Sequence, residues 1–321
     1  MAERWHSPRR WQQHAAHALD PQRMATIPTA TSTAATTPAL RDAHLYSAAV
    51  RMIAALLISV SGASLPAMLV LVVLATDPPV TPPILARWFA LFAVLPYLAA
   101  RLLRRAAAAT VEPGPSALAV TRRGLRLEIP YPSIERIAPW AVPLPGPGFD
   151  LVMRSGRRLR WVLEIDDPTG LLAVLSDMDG MAARAALHHP TLAYAHAKRT
   201  VSTHPTWRWY HLAGKFPLFA LAPTAVLFNA HQHIAHGGLL GEYYQLGLAS
   251  YLTTFAIYWA TVSIYLVLYA SVWRGFGEAG ALLDARIAPH RAVAVRRGVE
   301  RMCRIGYYAG VPVLLLLRFL P

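Results

Sequence analysis

The sequence predicts an α-helical polytopic membrane protein with about five transmembrane helices and an inserted small β-rich domain. Three observations predict this. Of 321 residues, 55% are hydrophobic and only 15% charged, with positive mean hydropathy. Several spans plus one modest extramembrane domain give that balance, which a soluble domain rarely shows. Apolar runs of membrane length recur along the chain, and between residues 110 and 187 they give way to short, partly alternating runs.

The net charge of +14 is almost wholly arginine, since Lys198 and Lys215 are the only lysines. No nucleic-acid-binding motif accompanies it, so nucleic acid is not an expected partner. Arginine flanking spans on the cytoplasmic side explains the excess. The arginine bias, with abundant alanine and proline, implies a high-GC bacterial genome and hence a bacterial inner membrane. Cys303 is the single cysteine, which excludes intramolecular disulfides.

Residues 1–45 read as a disordered cytoplasmic leader, because the Ala/Thr/Pro run from Ala25 to Thr37 has no helical period. Met24 is a second candidate start. A helical hairpin occupies 46–109. Its first span, Met52 to Ala75, is long enough to cross a hydrocarbon core of ~30 Å. Gly62, Ser64 and Pro66 would let it bend or approach a neighbour closely. A stiff turn, Asp77 to Pro83, leads to a second span from Ile84 to Leu103. Arg101, Arg104 and Arg105 at its end place that end inside.

In 110–187, strand-like runs at 118–121, 124–129, 150–153 and 159–163 are separated by turns at 122–124, 139–148 and 154–157. Asp166-Asp-Pro-Thr then starts a helix with an apolar face. The segments Val-Thr-Arg-Arg-Gly-Leu-Arg-Leu, Ile-Pro-Tyr-Pro-Ser-Ile-Glu-Arg-Ile and Leu-Val-Met-Arg-Ser-Gly-Arg-Arg-Leu, with this closing helix, resemble the small β domain of bacterial PH-like membrane proteins. The resemblance covers roughly residues 116–178. It implies a bent sheet sandwich or barrel capped by a C-terminal helix, inserted between spans two and three.

Residues 188–211 form a basic, aromatic approach to the membrane, ending in Trp207-Arg-Trp-Tyr-His211. The third span is Leu212 to Ala230, kinked by Pro217 and Pro223. The fourth is Tyr243 to Trp273. An arginine-rich cytoplasmic loop follows, whose 278–291 portion has helical spacing suited to the membrane surface. Ile305 to Leu320 forms a short fifth span, with Arg318 snorkelling outward and an external C-terminus.

Three groups carry candidate chemistry. His231, His233 and His236, with Glu242, combine imidazole and carboxylate as zinc, copper or iron sites do. On a helix, His233 and His236 share a face while His231 lies ~200° from His233, so convergence requires unwinding near 231. The competing reading is a polar cap on the outer end of the third span. Tyr244, Tyr251, Tyr258 and Tyr265 repeat every seven residues, giving one stripe for helix packing or for a ligand. Gly247, Thr254 and Thr261 beside them favour packing. Arg122, Arg123, Arg157 and Arg158, among the arginines of the β domain, are suited to inner-leaflet contact.

No nucleophile elbow, phosphate-cradling glycine loop or His-Glu-x-x-His is present. The expectation is therefore a non-catalytic membrane scaffold, assembly factor or accessory subunit. Its partners would be membrane lipids and another membrane subunit or itself, with no required cofactor. The alternative is a metal- or haem-dependent membrane enzyme or redox subunit using the 231–236 histidines.

Overall fold

The computed structural model describes residues 40–74, 79–179, 181–201 and 209–319. The expected leader through residue 39, Asp77 and Pro78 of the proline turn, and Trp207 and Arg208 of the aromatic belt lie outside the described residues.

Strand β1 (Leu40–Ser47) runs without a break into helix α1 (Ala48–Leu74). The chain returns through α2 (Pro82–Trp88), a π-helical segment (Phe89–Val94) and α3 (Leu95–Ala106). Six strands follow: β2 (Ala108–Pro113), β3 (Ala117–Arg122), β4 (Leu125–Pro130), β5 (Ile134–Pro139), β6 (Gly148–Met153) and β7 (Trp161–Ile165). All seven make one antiparallel sheet of order β4-β3-β2-β1-β7-β6-β5.

This order corrects two expectations. Residues 40–45 belong to the middle of the sheet, not to a leader. Strands β2 to β7 do lie between the second and third spans, but β1 precedes the hairpin, so the hairpin is inserted in the sheet between neighbouring strands β1 and β2. β1 is buried on both faces, although an antiparallel sheet can leave one face in water. Ala43 and Leu45 join the main core with Val111, Phe149 and Leu163, while Tyr46 packs with Ala107, Trp140 and Val162 on the other side. Such a strand shows no clean apolar–polar alternation, which is why Leu-Arg-Asp-Ala-His-Leu-Tyr-Ser escapes a sequence reading.

Helix α4 (Thr169–Asp179) begins where the sequence predicts, with the Asp167 carboxylate accepting the Thr169 N–H at 3.1 Å. Its Leu171, Leu172 and Leu175 close the sheet core. Helices α5 (Met181–Leu187) and α6 (Pro190–Val201) follow. Leu192 enters that same core, while Tyr194 and Ala197 pack on Ala281, Ala285 and Ala292 further along the chain. Residues 190–201 are thus a helix wedged between sheet and helices, not merely an approach to the membrane.

The remaining elements are α7 (Trp209–Ala213), a π-helical segment (Gly214–Leu218), α8 (Phe219–His236), α9 (Gly241–Leu246), α10 (Leu248–Ile287) and α11 (Ala292–Phe319). Among the described residues four helical stretches are long and apolar enough to cross a membrane: Ala48–Leu74, Pro82–Ala106, His211–His236 and Leu248–Ile287. The expected fifth is not among them. The apolar part of α11 begins only at Ile305, after Arg296, Arg297, Arg301 and Arg304. It covers about 15 residues, or roughly 22 Å at the helical rise, short of the hydrocarbon thickness.

Helix α10 also departs from expectation. It continues unbroken for 40 residues, roughly 60 Å, so the segment expected to lie on the membrane surface instead prolongs the fourth span. The prolines are accommodated by neighbours. Pro96 cannot donate to the Phe92 carbonyl, and Ser64 from α1 donates to it at 3.0 Å. Ser61 likewise donates to the Ala93 carbonyl at 2.8 Å. In the second hairpin the widened turn around Pro217 leaves carbonyls that accept from Trp259 Nε1 and the Tyr307 hydroxyl, each at 2.7 Å.

Candidate functional site

The end of the α8–α10 hairpin holds a buried carboxylate in the same region as the expected histidine group. Glu242 is 3% exposed and Gln232 fully buried. Gln232 Nε2 donates to Glu242 at 2.6 Å, and the Glu242 N–H donates back to Gln232 Oε1 at 3.2 Å. Thr254 and Ser250 from α10 donate their hydroxyls at 2.6 and 2.9 Å. The Thr254 hydroxyl, seconded by Gln232 and Ser250, holds the carboxyl below the usual carboxylate range against the opposing effect of burial. Gly241 permits this arrangement, because a side chain there would run into the His236 carbonyl.

The histidines do not share that carboxylate. Helix α8 persists through 236 without unwinding. His233 is exposed, and its Nδ1 donates to the Asn229 carbonyl one turn back at 2.9 Å. His231 and His236 lie with ring centres 5.9 Å apart, rather than His233 pairing with His236. The bond from His236 Nδ1 to Gln245 on α9, at 2.9 Å, draws that ring to the side where His231 packs on Tyr258. Among the described residues no group of three or more His, Cys, Asp or Glu is placed to hold a metal ion.

The tyrosine stripe is interrupted. Gly247 (φ +86°, ψ 172°) separates α9 from α10, a conformation that glycine alone adopts readily. Tyr244 therefore sits on α9 and is 78% exposed. Tyr251 and Tyr258 pack edge-on against Phe228 of α8, at 5.0 and 5.9 Å. Tyr265 packs beside Met68, Leu85 and Leu268, at the meeting of α10 with α1 and α2. The three stripe tyrosines on α10 thus face helices of the same chain.

The arginines divide by what they touch. Arg122 donates to the Ala106 carbonyl at 3.2 Å and lies 5.5 Å from the Trp161 ring. Arg123 occupies the β3–β4 turn with left-handed backbone (φ 47°). Arg157 and Arg158 lie in the β6–β7 turn, where Arg158 pairs with Asp150 at 3.7 Å. Register brings both turns to the hairpin end of the sheet: Ser47, the last residue before α1, pairs with Trp161, the first of β7.

Two buried charge clusters were not read from sequence. Glu164, in the middle of the run Trp-Val-Leu-Glu-Ile, is fully buried, and Arg104 from the end of α3 donates to it at 2.5 Å. Burial pushes the Glu164 carboxyl up, with Arg104 opposing. Burial likewise raises the neighbouring Tyr46 hydroxyl. The available signal was an acid in an otherwise apolar strand; Arg104 had been read only as a topology marker. The second cluster joins α6, α10 and α11. Arg296, 1% exposed, donates to Glu278 at 2.7 and 2.8 Å and to Glu300 at 3.0 Å. Arg274 pairs with the same two acids, and the Tyr194 hydroxyl donates to Glu278. The four-residue spacings of Arg274 with Glu278 and of Arg296 with Glu300 were its sequence traces.

No family model, no curated protein and no solved structure matches this chain.

Proposed function

We propose that this chain is a non-catalytic integral membrane scaffold, assembly factor or accessory subunit, with its sheet and arginine-rich turns at the cytoplasmic face of a bacterial inner membrane. The observation that carries this reading is the continuity of α10. One helix packs against α8 and the first hairpin, then extends to the ion cluster that ties it to α6 and, through Leu192, to the sheet core. A rod of this kind transmits position between a membrane part and an extramembrane part. The two buried carboxylates, Glu164 and Glu242, are engaged by internal structural donors. We read the sheet, closed by α4, as PH-like; the strand order and the closing helix support that reading. The inserted hairpin departs from it.

Native mass spectrometry with elemental analysis, on full-length protein in mild detergent, tests the proposal. It expects metal-free protein co-purifying with itself or with another membrane subunit. A stoichiometric transition metal or haem, lost when His231, His233 and His236 are all changed to alanine, would replace it with a redox reading.

A further inference from the structure

A cavity of about 460 Å³ opens where α1 leaves the sheet, lined by Ser47, Ala48, Arg51, Asp150, Arg158, Leu159, Arg160 and Val162. Three guanidinium groups and one carboxylate give it a net formal charge of +2 (three minus one). Asp150 is already engaged: Trp140 Nε1 donates to it at 2.7 Å and Arg158 lies 3.7 Å away. Arg51 Cζ lies 3.7 Å from the centre of the Trp140 ring, and its Nε is buried with no hydrogen-bond partner. Arg160 makes no hydrogen bond or ion pair among the described residues. The first turn of α1, capped by Ser47 Oγ accepting the Val50 N–H at 3.4 Å, adds the positive end of a 27-residue helix.

The chemistry is that of a phosphate site, and its surroundings choose the source. Immediately beyond Arg51, Met52, Ile53 and Leu56 are large apolar side chains facing outward. A phosphate seated in the cavity would lie one helical turn from surface suited to acyl chains, so its bearer should be amphiphilic. We propose that this cavity binds the headgroup phosphate of an anionic membrane lipid, with Arg51 and Arg160 as ligands and Asp150 orienting Arg158. The inference rests on the membrane reading above and adds to it a discrete, selective lipid site at the sheet–hairpin junction.

Native mass spectrometry of the full chain in mild detergent, titrated separately with dioleoylphosphatidylglycerol, dioleoylphosphatidylcholine and inorganic phosphate, decides it. One phosphatidylglycerol should be retained in preference to phosphatidylcholine. Arg160→Gln should weaken retention about fivefold and the Arg51→Gln/Arg160→Gln pair about 25-fold, at the usual worth of an arginine beside an anionic surface. Arg136→Gln, on exposed β5 surface outside the cavity, should leave retention unchanged. Arg51 packs on Trp140, so Arg160→Gln carries the test alone if the double variant unfolds. Equal retention of both lipids, or equal losses in Arg136→Gln and Arg160→Gln, would overturn the site. Inorganic phosphate displacing the lipid at equal concentration would reassign the cavity to a free anion and overturn the lipid. Alkaline carbonate extraction separates the two levels. Protein released from membranes defeats the membrane reading itself, whereas protein retained without lipid selectivity defeats only this inference.

Discussion

The two ends of α10 solve one problem, a carboxylate taken out of water, in opposite ways. At the α9 end Glu242 is surrounded by neutral donors: one amide and two hydroxyls. At the other end Glu278 and Glu300 share Arg296 and Arg274. Neutral donors stabilise the ion without introducing a second charge to desolvate, so the group's weak point is protonation. An ion pair instead makes each member depend on the other, and removing either leaves the partner stranded in a poor solvent. The second arrangement is therefore the more sensitive to substitution.

The largest effect should therefore come from Arg296→Ala. It leaves two acids short of a buried cation and should cost about 3 kcal/mol, the lower end for a broken buried pair because the acids retain some solvent. Thermal unfolding in detergent, converted through the wild-type enthalpy, measures it. A double-mutant cycle with Glu278→Gln sharpens the comparison, since the double variant should lose much less than the two single losses added together. Additive losses would mean that the cluster is not one unit.

Glu242→Ala should cost less, about 1–3 kcal/mol, because it orphans neutral donors rather than a charge. The pH response supplies the contrast. The native Glu242 carboxyl lies below its unfolded value of about 4.5, so its contribution is present above that pH and lost as pH falls below it. Glu164 behaves oppositely. Its native value lies above about 4.5, so the native state holds the extra proton and stability declines as pH rises from there through the raised value. In unfolding curves taken at intervals between pH 3 and 7, Glu242→Gln should flatten the profile below about 4.5 and Glu164→Gln should flatten it above. Identical profiles for the two variants would break the contrast between a carboxyl held down by its donors and one pushed up by burial.

How much of this was legible beforehand follows the same division. Apolar length and arginine placement announced both hairpins, and Asp167 before Pro168 marked the start of α4, because those signals are local. The central strand β1 was not legible: its two hydrogen-bonded edges are taken by β2 and β7, far along the chain, and Ser47 joins it directly to a membrane helix. Glu242 was noticed for the wrong reason. Its neighbours in sequence are histidines, but its partners Gln232, Ser250 and Thr254 come from two other helices. The seven-residue tyrosine series was real as a pattern, yet one backbone conformation at Gly247 removed Tyr244 from it.

That last point gives the smallest and most discriminating expectation. If the series acted as one four-ring stripe, truncating any member would have a comparable cost. With Gly247 interrupting it, Tyr244→Ala should change stability by no more than about 0.5 kcal/mol, as exposed substitutions usually do. Tyr258→Ala, which removes a ring lodged between Phe228 and His231, should cost measurably more. Gly247→Ala sharpens the point, since alanine is strained at this φ and ψ and should cost about 1–3 kcal/mol. If Gly247→Ala were neutral and Tyr244→Ala as damaging as Tyr258→Ala, α9 and α10 would behave as one helix. Glu242 would then have no reason to fold back onto Thr254, and the neutral-donor end of the comparison would dissolve.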